Sequence, residues 1–232
     1  FSGTASALYK VRSNLKIGLD LSYKSVEQED VVSAFSVYGA SFIADYSNKT
    51  GTQIQDNQYR LLWRLSYSTR RNRDTDSLQV SEVSFNDTKI EVGSFFKIPL
   101  ISQTSLFYQI NYSGYETRDE LPPLSELYLI GGEGTIRGFR DEQFSAIRTV
   151  INTVEHHIGF KSGYFFSFID AAYIYNRNVE NGIVTNDEIY RFGYGVGILF
   201  DNRFRQIQIS FGWNKDLPID QPRLSVRFQT GL

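Results

Sequence analysis

The sequence predicts an all-β fold, a transmembrane antiparallel β-barrel of eleven to twelve strands spanning residues 1–232 as a single domain. Three observations predict it. Large apolar and polar residues alternate with a period of two through most of the chain. The composition, with 15 Tyr, 18 Phe and 18 Gly against 5 Pro, favours strands over helices. The connections alternate between tight and long, as an up-and-down barrel requires. A mean hydropathy of −0.31 looks like that of a soluble protein. A barrel strand, however, shows lipid only at every second residue, so periodicity decides where average hydropathy misleads.

The elements follow in chain order. Residues 4–11 alternate weakly; residues 16–23 set Ile17, Leu19, Leu21 and Tyr23 against Lys16, Gly18, Asp20 and Ser22. After a weaker run at 33–46, residues 59–70 oppose Tyr59, Leu61, Trp63, Leu65 and Tyr67 to Arg60, Arg64, Ser66, Ser68 and Arg70. The stretch from Leu78 to Ile98 is long enough for two strands turning at Asn86 and Asp87, which makes twelve rather than eleven. An even number is the rule for bacterial barrels, so twelve is preferred. Residues 104–113 carry Leu106, Tyr108, Ile110 and Tyr112 on one face, and weaker runs lie at 144–158 and 165–175. Residues 189–200 place Tyr190, Phe192, Tyr194, Val196, Ile198 and Phe200 opposite Arg191, Gly193, Gly195 and Gly197. Ile207, Ile209, Phe211 and Trp213 form the next apolar face, and Leu224, Val226, Phe228, Thr230 and Leu232 the last. Alternation alone also suits a soluble sandwich. The face of Arg and Gly opposite an unbroken aromatic face instead favours a filled or polar lumen with lipid outside, which makes Tyr190, Phe192, Tyr194, Phe200, Phe211 and Trp213 lipid-facing. Gly159–Gly163 and Asp201–Arg203 read as tight turns, Asn176–Asp187 and Asn214–Pro222 as long polar loops.

Composition also excludes. With 24 Lys+Arg against 26 Asp+Glu, nothing suggests a nucleic-acid partner. Without cysteine, disulfides, thiolate zinc sites and cysteine nucleophiles are ruled out. A chain that starts at Phe1 and holds no methionine is expected to have lost residues ahead of it. Apolar runs fall well short of the roughly 18 residues of a membrane helix. His156 and His157 are adjacent on a strand and point to opposite faces, so they cannot chelate one metal, and no metal or cofactor is expected.

One loop breaks the rhythm. Residues 121–143 read LPPLSELYLIGGEGTIRGFRDEQ. Gly132, Gly134 and Gly138 give a spacing one residue too long for a dinucleotide fingerprint, and no Walker lysine is present. The bland reading is a long surface loop with glycines at its turns.

The segment GGEGTIRGF, with Gly131, Gly132, Ile136, Arg137, Gly138 and Phe139, resembles the signature of the outer-membrane protein assembly factors and two-partner secretion transporters, the BamA, TamA and FhaC type. Two further motifs match in order: Asn152 and Glu155 on the strand after the loop, and FFSFIDAA on the next, with Phe168 and Asp170 in register. Ala172 stands where the family usually has Gly. The resemblance implies a loop that folds back into the lumen, with Arg137 meeting Asp170 and Glu155, and five strands following the loop. It also implies sixteen strands, and at about 21 residues per strand sixteen would need roughly 340 residues. The chain is therefore expected to be the C-terminal part of a longer barrel, or a short variant closing with fewer strands or with a second copy. No segment shows the helix and strand alternation of the family's POTRA modules.

A guanidinium in a lumen needs an anion, because leaving it desolvated and unpaired is costly. The rival reading of Glu155 and Asp170 is an acid and base pair of the glycosidase kind. Glu155 is the less secure partner, since Arg148, Asn152 and His156 on its strand occupy the face meant for lipid, and a bulge or a local twist is expected to re-aim it. Arg60, Arg64, Arg191 and Arg227 read as paired or solvated lumen wall. The resemblance implies a non-enzymatic protein of the bacterial outer membrane that inserts or translocates polypeptides. Its expected partners are outer-membrane lipids, an unfolded polypeptide client or periplasmic partner, and a second copy of itself. The alternative is a passive porin-like barrel or a membrane anchor for a separate domain such as a patatin-like lipase.

Overall fold

A computed structural model of the chain describes residues 2–26, 33–48, 58–74, 81–101, 103–117, 122, 126–180, 183–202 and 205–230. Among them are β1 (Ser2–Arg12), β2 (Leu15–Val26), β3 (Ser33–Ser47), β4 (Gln58–Asp74), β5 (Ser81–Pro99), β6 (Thr104–Thr117), β7 (Tyr128–Ile130), β8 (Phe144–Ala146), β9 (Arg148–Phe160), β10 (Gly163–Glu180), β11 (Ile183–Asn202), β12 (Arg205–Asn214) and β13 (Arg223–Thr230). Eleven of these form one sheet in the order β1-β2-β3-β4-β5-β6-β9-β10-β11-β12-β13, and β7 and β8 make a separate hairpin. Each neighbouring pair is antiparallel, so β1 and β13, the two edge strands, run in the same direction. The sheet is open between these edges.

The alternation sorts side chains to two faces. Leu19, Leu21, Trp63, Leu65, Phe165, Ile169, Tyr190 and Phe192 stand exposed on the convex side. On the concave side, Ile151, Phe166, Phe168, Ala172 and Ile174 are buried. They are buried because the β6–β9 connection lies over them. Lys24 of β2 and Lys89 of β5 reach this connection from one side, and Arg227 of β13 from the other. In a flat sheet with strands about 4.8 Å apart, β2 and β13 would be about 40 Å from each other, so the sheet curls around the connection.

Three expectations are corrected. Residues 81–99 are a single strand without a turn at Asn86 and Asp87, which pair in continuous register with Thr69 and Ser68. Among the described residues the sheet therefore has eleven strands, not twelve. Asp87 is buried and accepts a hydrogen bond from Arg70, so a polar pair that resembles a turn is an inward-facing ion pair and its neighbour. Residues 144–158 are not one strand, because residues 144–146 pair with β7 and only from Arg148 does the chain join the sheet. Asn176–Asp187 is mostly strand: β10 and β11 stay paired out to Glu180 and Ile183, with residues 181 and 182 outside the described residues. The tight turn at Lys161 and Ser162 stands as read, between Phe160 and Gly163.

Candidate functional site

The connection is built as a hairpin that presents a tip. Tyr128 pairs with Ala146 and Ile130 with Phe144, which brings residues 131 and 143 together at the hairpin's end. The Gly131 amide donates to Thr135 Oγ1 at 2.7 Å, closing the first turn of the tip. Gly138 has φ +87°, and a Cβ there would lie 2.4 Å from the carbonyl oxygen of Trp213, so neither its conformation nor its surroundings admit a side chain. At the other end, the Ile147 amide donates to the Tyr175 carbonyl at 2.8 Å and ties the loop's exit to β10.

Arg137 occupies the tip's centre with its side chain 6% exposed. Its Nε donates to Asp170 Oδ2 and its Nη2 to Asp170 Oδ1, each at 2.8 Å, a two-pronged pairing. Its Nη1 donates to Glu155 Oε1 at 2.6 Å, and its backbone amide to Asp170 Oδ2 at 3.0 Å. The guanidinium carbon sits 3.5 Å from the ring centroid of Phe168, adding a cation–π contact. Thr153 Oγ1 donates to Asp170 Oδ1 at 2.9 Å, so this fully buried carboxylate is held from three sides. Burial works against the Arg137 charge, yet Asp170 and Glu155 more than offset it, and the guanidinium holds its proton more tightly than usual. With both carboxylates committed to one arginine, the arrangement clamps rather than offering a free acid and base.

No bulge re-aims Glu155. The register of β9 with β6 and with β10 is continuous, and Glu155 shares the concave face with Ile151, Thr153 and His157. The polar residues opposite have separate accounts: Arg148 pairs with Glu116 at 2.5 Å, and Asn152 accepts from Tyr108 Oη at 2.9 Å. His157 is a member that sequence reasoning missed. It is buried, its Nε2 lies 2.7 Å from Glu155 Oε2, and it stacks on Tyr164 at 4.2 Å. Its only sequence signal is its parity with Glu155.

The wall receives the loop through a slot on β11 and β12. A Cβ at Gly193 would meet the Arg137 carbonyl oxygen at 1.9 Å, so the loop backbone lies against the strand where a side chain would be. Gly195 and Gly197 leave the room taken by the rings of Phe168 and Phe166. Asn214 Nδ2 donates to the Gly138 carbonyl at 2.7 Å. Ile136 and Phe139 pack with Ile130, Ala146, Ile151, Ala172 and Ile174 in one apolar cluster.

Two loop carboxylates extend the anchorage. Glu133 accepts from Ser210 Oγ at 2.7 Å and Gln208 Nε2 at 2.5 Å, and Arg227 donates to the Glu133 carbonyl at 2.6 Å. Burial pushes the Glu133 carboxyl above its usual range against the opposing pull of Ser210, Arg137 and Arg227. Glu126 receives both Lys24 and Lys89 at 2.7 Å. Burial alone would push it up too, but the two ammonium groups hold it below the usual carboxylate range. Of the other wall arginines, Arg60 makes a two-pronged pair with Asp45 at 2.9 Å, Arg64 meets Glu91 at 3.2 Å and Arg191 lies over the Phe144 ring. A polar cavity of about 390 Å³ remains below the tip, lined among others by Gln109, Thr135, Gln208 and His157.

The aromatic face points away from all of this. Tyr190, Phe192, Tyr194, Phe200 and Phe211 are 41–62% exposed on the convex side. Trp213 shares that side but is half-buried, stacked on Tyr194 and donating to the Ile219 carbonyl at 2.9 Å. Among the described residues no group of three or more His, Asp or Glu could hold a metal.

Comparison with known proteins agrees with this layout. The sequence profile described as the Omp85 superfamily domain matches residues 3–232. Curated protein sequences give no match. Among solved structures, BamA from Haemophilus ducreyi lacking POTRA domains 1–3 is similar at 13% identity with a TM-score of 0.52, over 99% of this chain and 62% of that one. CdiB from Acinetobacter baumannii is similar at 14% identity with a TM-score of 0.46, over 98% of this chain and 49% of that one. The chain thus spans under two thirds of the length of either structure.

Proposed function

The chain belongs to the Omp85 superfamily and lies in the bacterial outer membrane, and from that premise we propose that it is the strand-bearing part of a factor that inserts polypeptides into, or moves them across, that membrane. The observation that carries this reading is the contrast between a wall fastened to the loop and an exposed first edge in one sheet. From β9 to β13 the wall is fastened to the loop by Arg137, Glu133, Asn214 and the slot at Gly193. At the opposite edge every residue of β1 is exposed. Local stability follows contact density, so opening is easiest along β1. An edge strand presents unpaired N–H and C=O groups that template an incoming strand, and backbone hydrogen bonds then supply affinity without reading the client's sequence. The lipid-facing role of Tyr190, Phe192, Tyr194, Phe200, Phe211 and Trp213, closure of the sheet into a barrel, and recruitment of an unfolded client or a second copy all belong to this proposal. The work is mechanical, with no bond made or broken.

The test is insertion of an unfolded eight-stranded outer-membrane barrel into liposomes carrying the protein, scored by resistance to added protease. Wild type should accelerate insertion over empty liposomes, and a disulfide fixing β1 to β2 through paired cysteines at Ala5 and Leu21, opposed in register, should slow it again until reduced. Equal insertion with the staple closed and open would refute a role for the β1 edge.

A further inference from the structure

The convex face carries a notch that the clamp does not explain. Between β9 and β12, cross-strand rows of outward side chains run Val154–Ile169–Tyr194–Trp213, then His156–Ser167–Val196–Phe211, then Ile158–Phe165–Ile198–Ile209. Phe165 and Ile169 rise on either side of the small Ser167, leaving a groove of about 440 Å³ walled by Ile158, Phe165, Val196 and Phe211. Within it His156 and Ser167 stand directly opposite each other, and neither side chain has a hydrogen-bond partner among the described residues.

Their depth gives this meaning. Phe160, Phe165 and Phe200 cluster beside the tight turn at Lys161 and Ser162, with ring centroids 5.2 and 5.9 Å from Phe160, and mark an aromatic girdle at the short-turn end. Ser167 is two residues beyond Phe165, about 5 Å further in for a strand tilted by about 45°. An imidazole and a hydroxyl at that level border on hydrocarbon, where water is absent and an unsatisfied polar group is costly. The ester and phosphate oxygens of a lipid lie within reach of that depth, attached to a chain that fits an apolar groove.

We propose that the notch binds one glycerophospholipid of the leaflet facing the short turns, with His156 N–H and Ser167 O–H donating to its ester or phosphate oxygens and one acyl chain lying between Phe165 and Val196. The site rests on the reading that the convex face meets lipid. A lipid held there would stiffen the membrane contact of the clamped half of the wall.

The test is native mass spectrometry of the protein released from dodecyl maltoside, titrated with phosphatidylethanolamine. Wild type should retain one lipid in preference to others. His156→Leu with Ser167→Leu removes both donors and should weaken retention about tenfold, two ordinary hydrogen bonds' worth. Ser167→Phe keeps the histidine but fills the groove and should weaken it similarly. Both variants must still migrate faster unboiled than boiled to count as folded. The chain has two histidines, so imidazole NMR with His157→Asn as the assignment control gives a second readout: phosphatidylethanolamine should shift the His156 nitrogens. Equal retention by wild type and by folded variants, or unshifted His156 nitrogens at saturating lipid, overturns the site. Failure of the membrane reading looks different, because spin-labelled lipid would then fail to broaden Tyr194 as well.

Discussion

Replacing Arg137 by alanine removes one side chain that holds three elements. The two-pronged pairing with Asp170, the single bond to Glu155 and the contact with Phe168 all go at once. What stays behind sets the magnitude. Asp170 is fully buried and Glu155 is 13% exposed, so two carboxylates lose their shared cation without gaining water. Removing one partner from such a pair costs about 3–5 kcal/mol, and the lost cation–π contact adds about 1 kcal/mol. The loop does not fall away entirely, since the amide of residue 137 still donates to Asp170 and Ile136 and Phe139 keep their apolar seat. Native-state hydrogen exchange reads the change directly. The amides of residues 137 and 138 should lose about three to four orders of magnitude of protection, the equivalent of about 4–6 kcal/mol at about 1.4 kcal/mol per factor of ten. Asp170→Ala should loosen the same amides. The double variant should be less damaging than the sum, because it removes a charge together with its partner. Additive effects, or unchanged protection in Arg137→Ala, would refute the clamp.

Three further outcomes are expected. Gly193→Ala should unseat the loop although every charged partner is intact, because its Cβ would meet the Arg137 carbonyl oxygen at 1.9 Å; a cost of about 1–3 kcal/mol should appear as faster exchange at residue 138, and unchanged exchange would sink the slot. Glu126→Gln should cost about 1–2 kcal/mol at neutral pH, a figure reduced by the partial exposure of Lys24 and Lys89. Because the folded-state pKa of Glu126 is depressed, its contribution is present above the ordinary value of 4.5 and lost as pH falls through the lower folded value; thermal melts of the variant should lack that acid-side slope. Single cysteines at Tyr194 and Gln109, in a chain without native cysteine, should differ strongly in access to a lipid-soluble quencher, and equal access would contradict the assignment of faces.

The legible part of the fold was the part where one face of a strand is unbroken and apolar. Period two is strict where one face must be apolar, which is why Tyr190 to Phe200 and Ile207 to Trp213 could be read without ambiguity. The same logic explains the errors. The inward face carries polar residues by design, so Asn86 and Asp87 within a strand carry the same letters as a turn, and only the burial of Asp87 against Arg70 tells them apart. The far ends of β10 and β11 carry polar residues on both faces, so their extensions through Asn176 and Asp187 read as loop. Within the site, nothing in the spacing of residues 137, 155 and 170 says that they meet. That grouping came from resemblance alone, and the continuous register of β9 supplies its geometric reason. Glu133 and Glu126 were passed over because an acid in a glycine-rich loop is an ordinary surface residue until a wall closes around it. Arg227 on the polar face of β13, in line with Arg223 and Ser225, was the one hint of what Glu133 would touch.

The common direction of the two edge strands obeys a counting rule. Antiparallel order makes strand direction alternate, so a ring can be sewn shut with antiparallel seams throughout only when its total is even. Eleven is odd. An all-antiparallel ring built on these eleven described strands would take one, three or five more, and a lone added strand running opposite to β1 and β13 would be antiparallel to both. Two copies joined edge to edge also give an even total, yet in each junction β13 of one would meet β1 of the other pointing the same way, and both seams would be parallel. Arithmetic alone thus ranks the ways of closing this wall, favouring strands of odd number over a doubled ring.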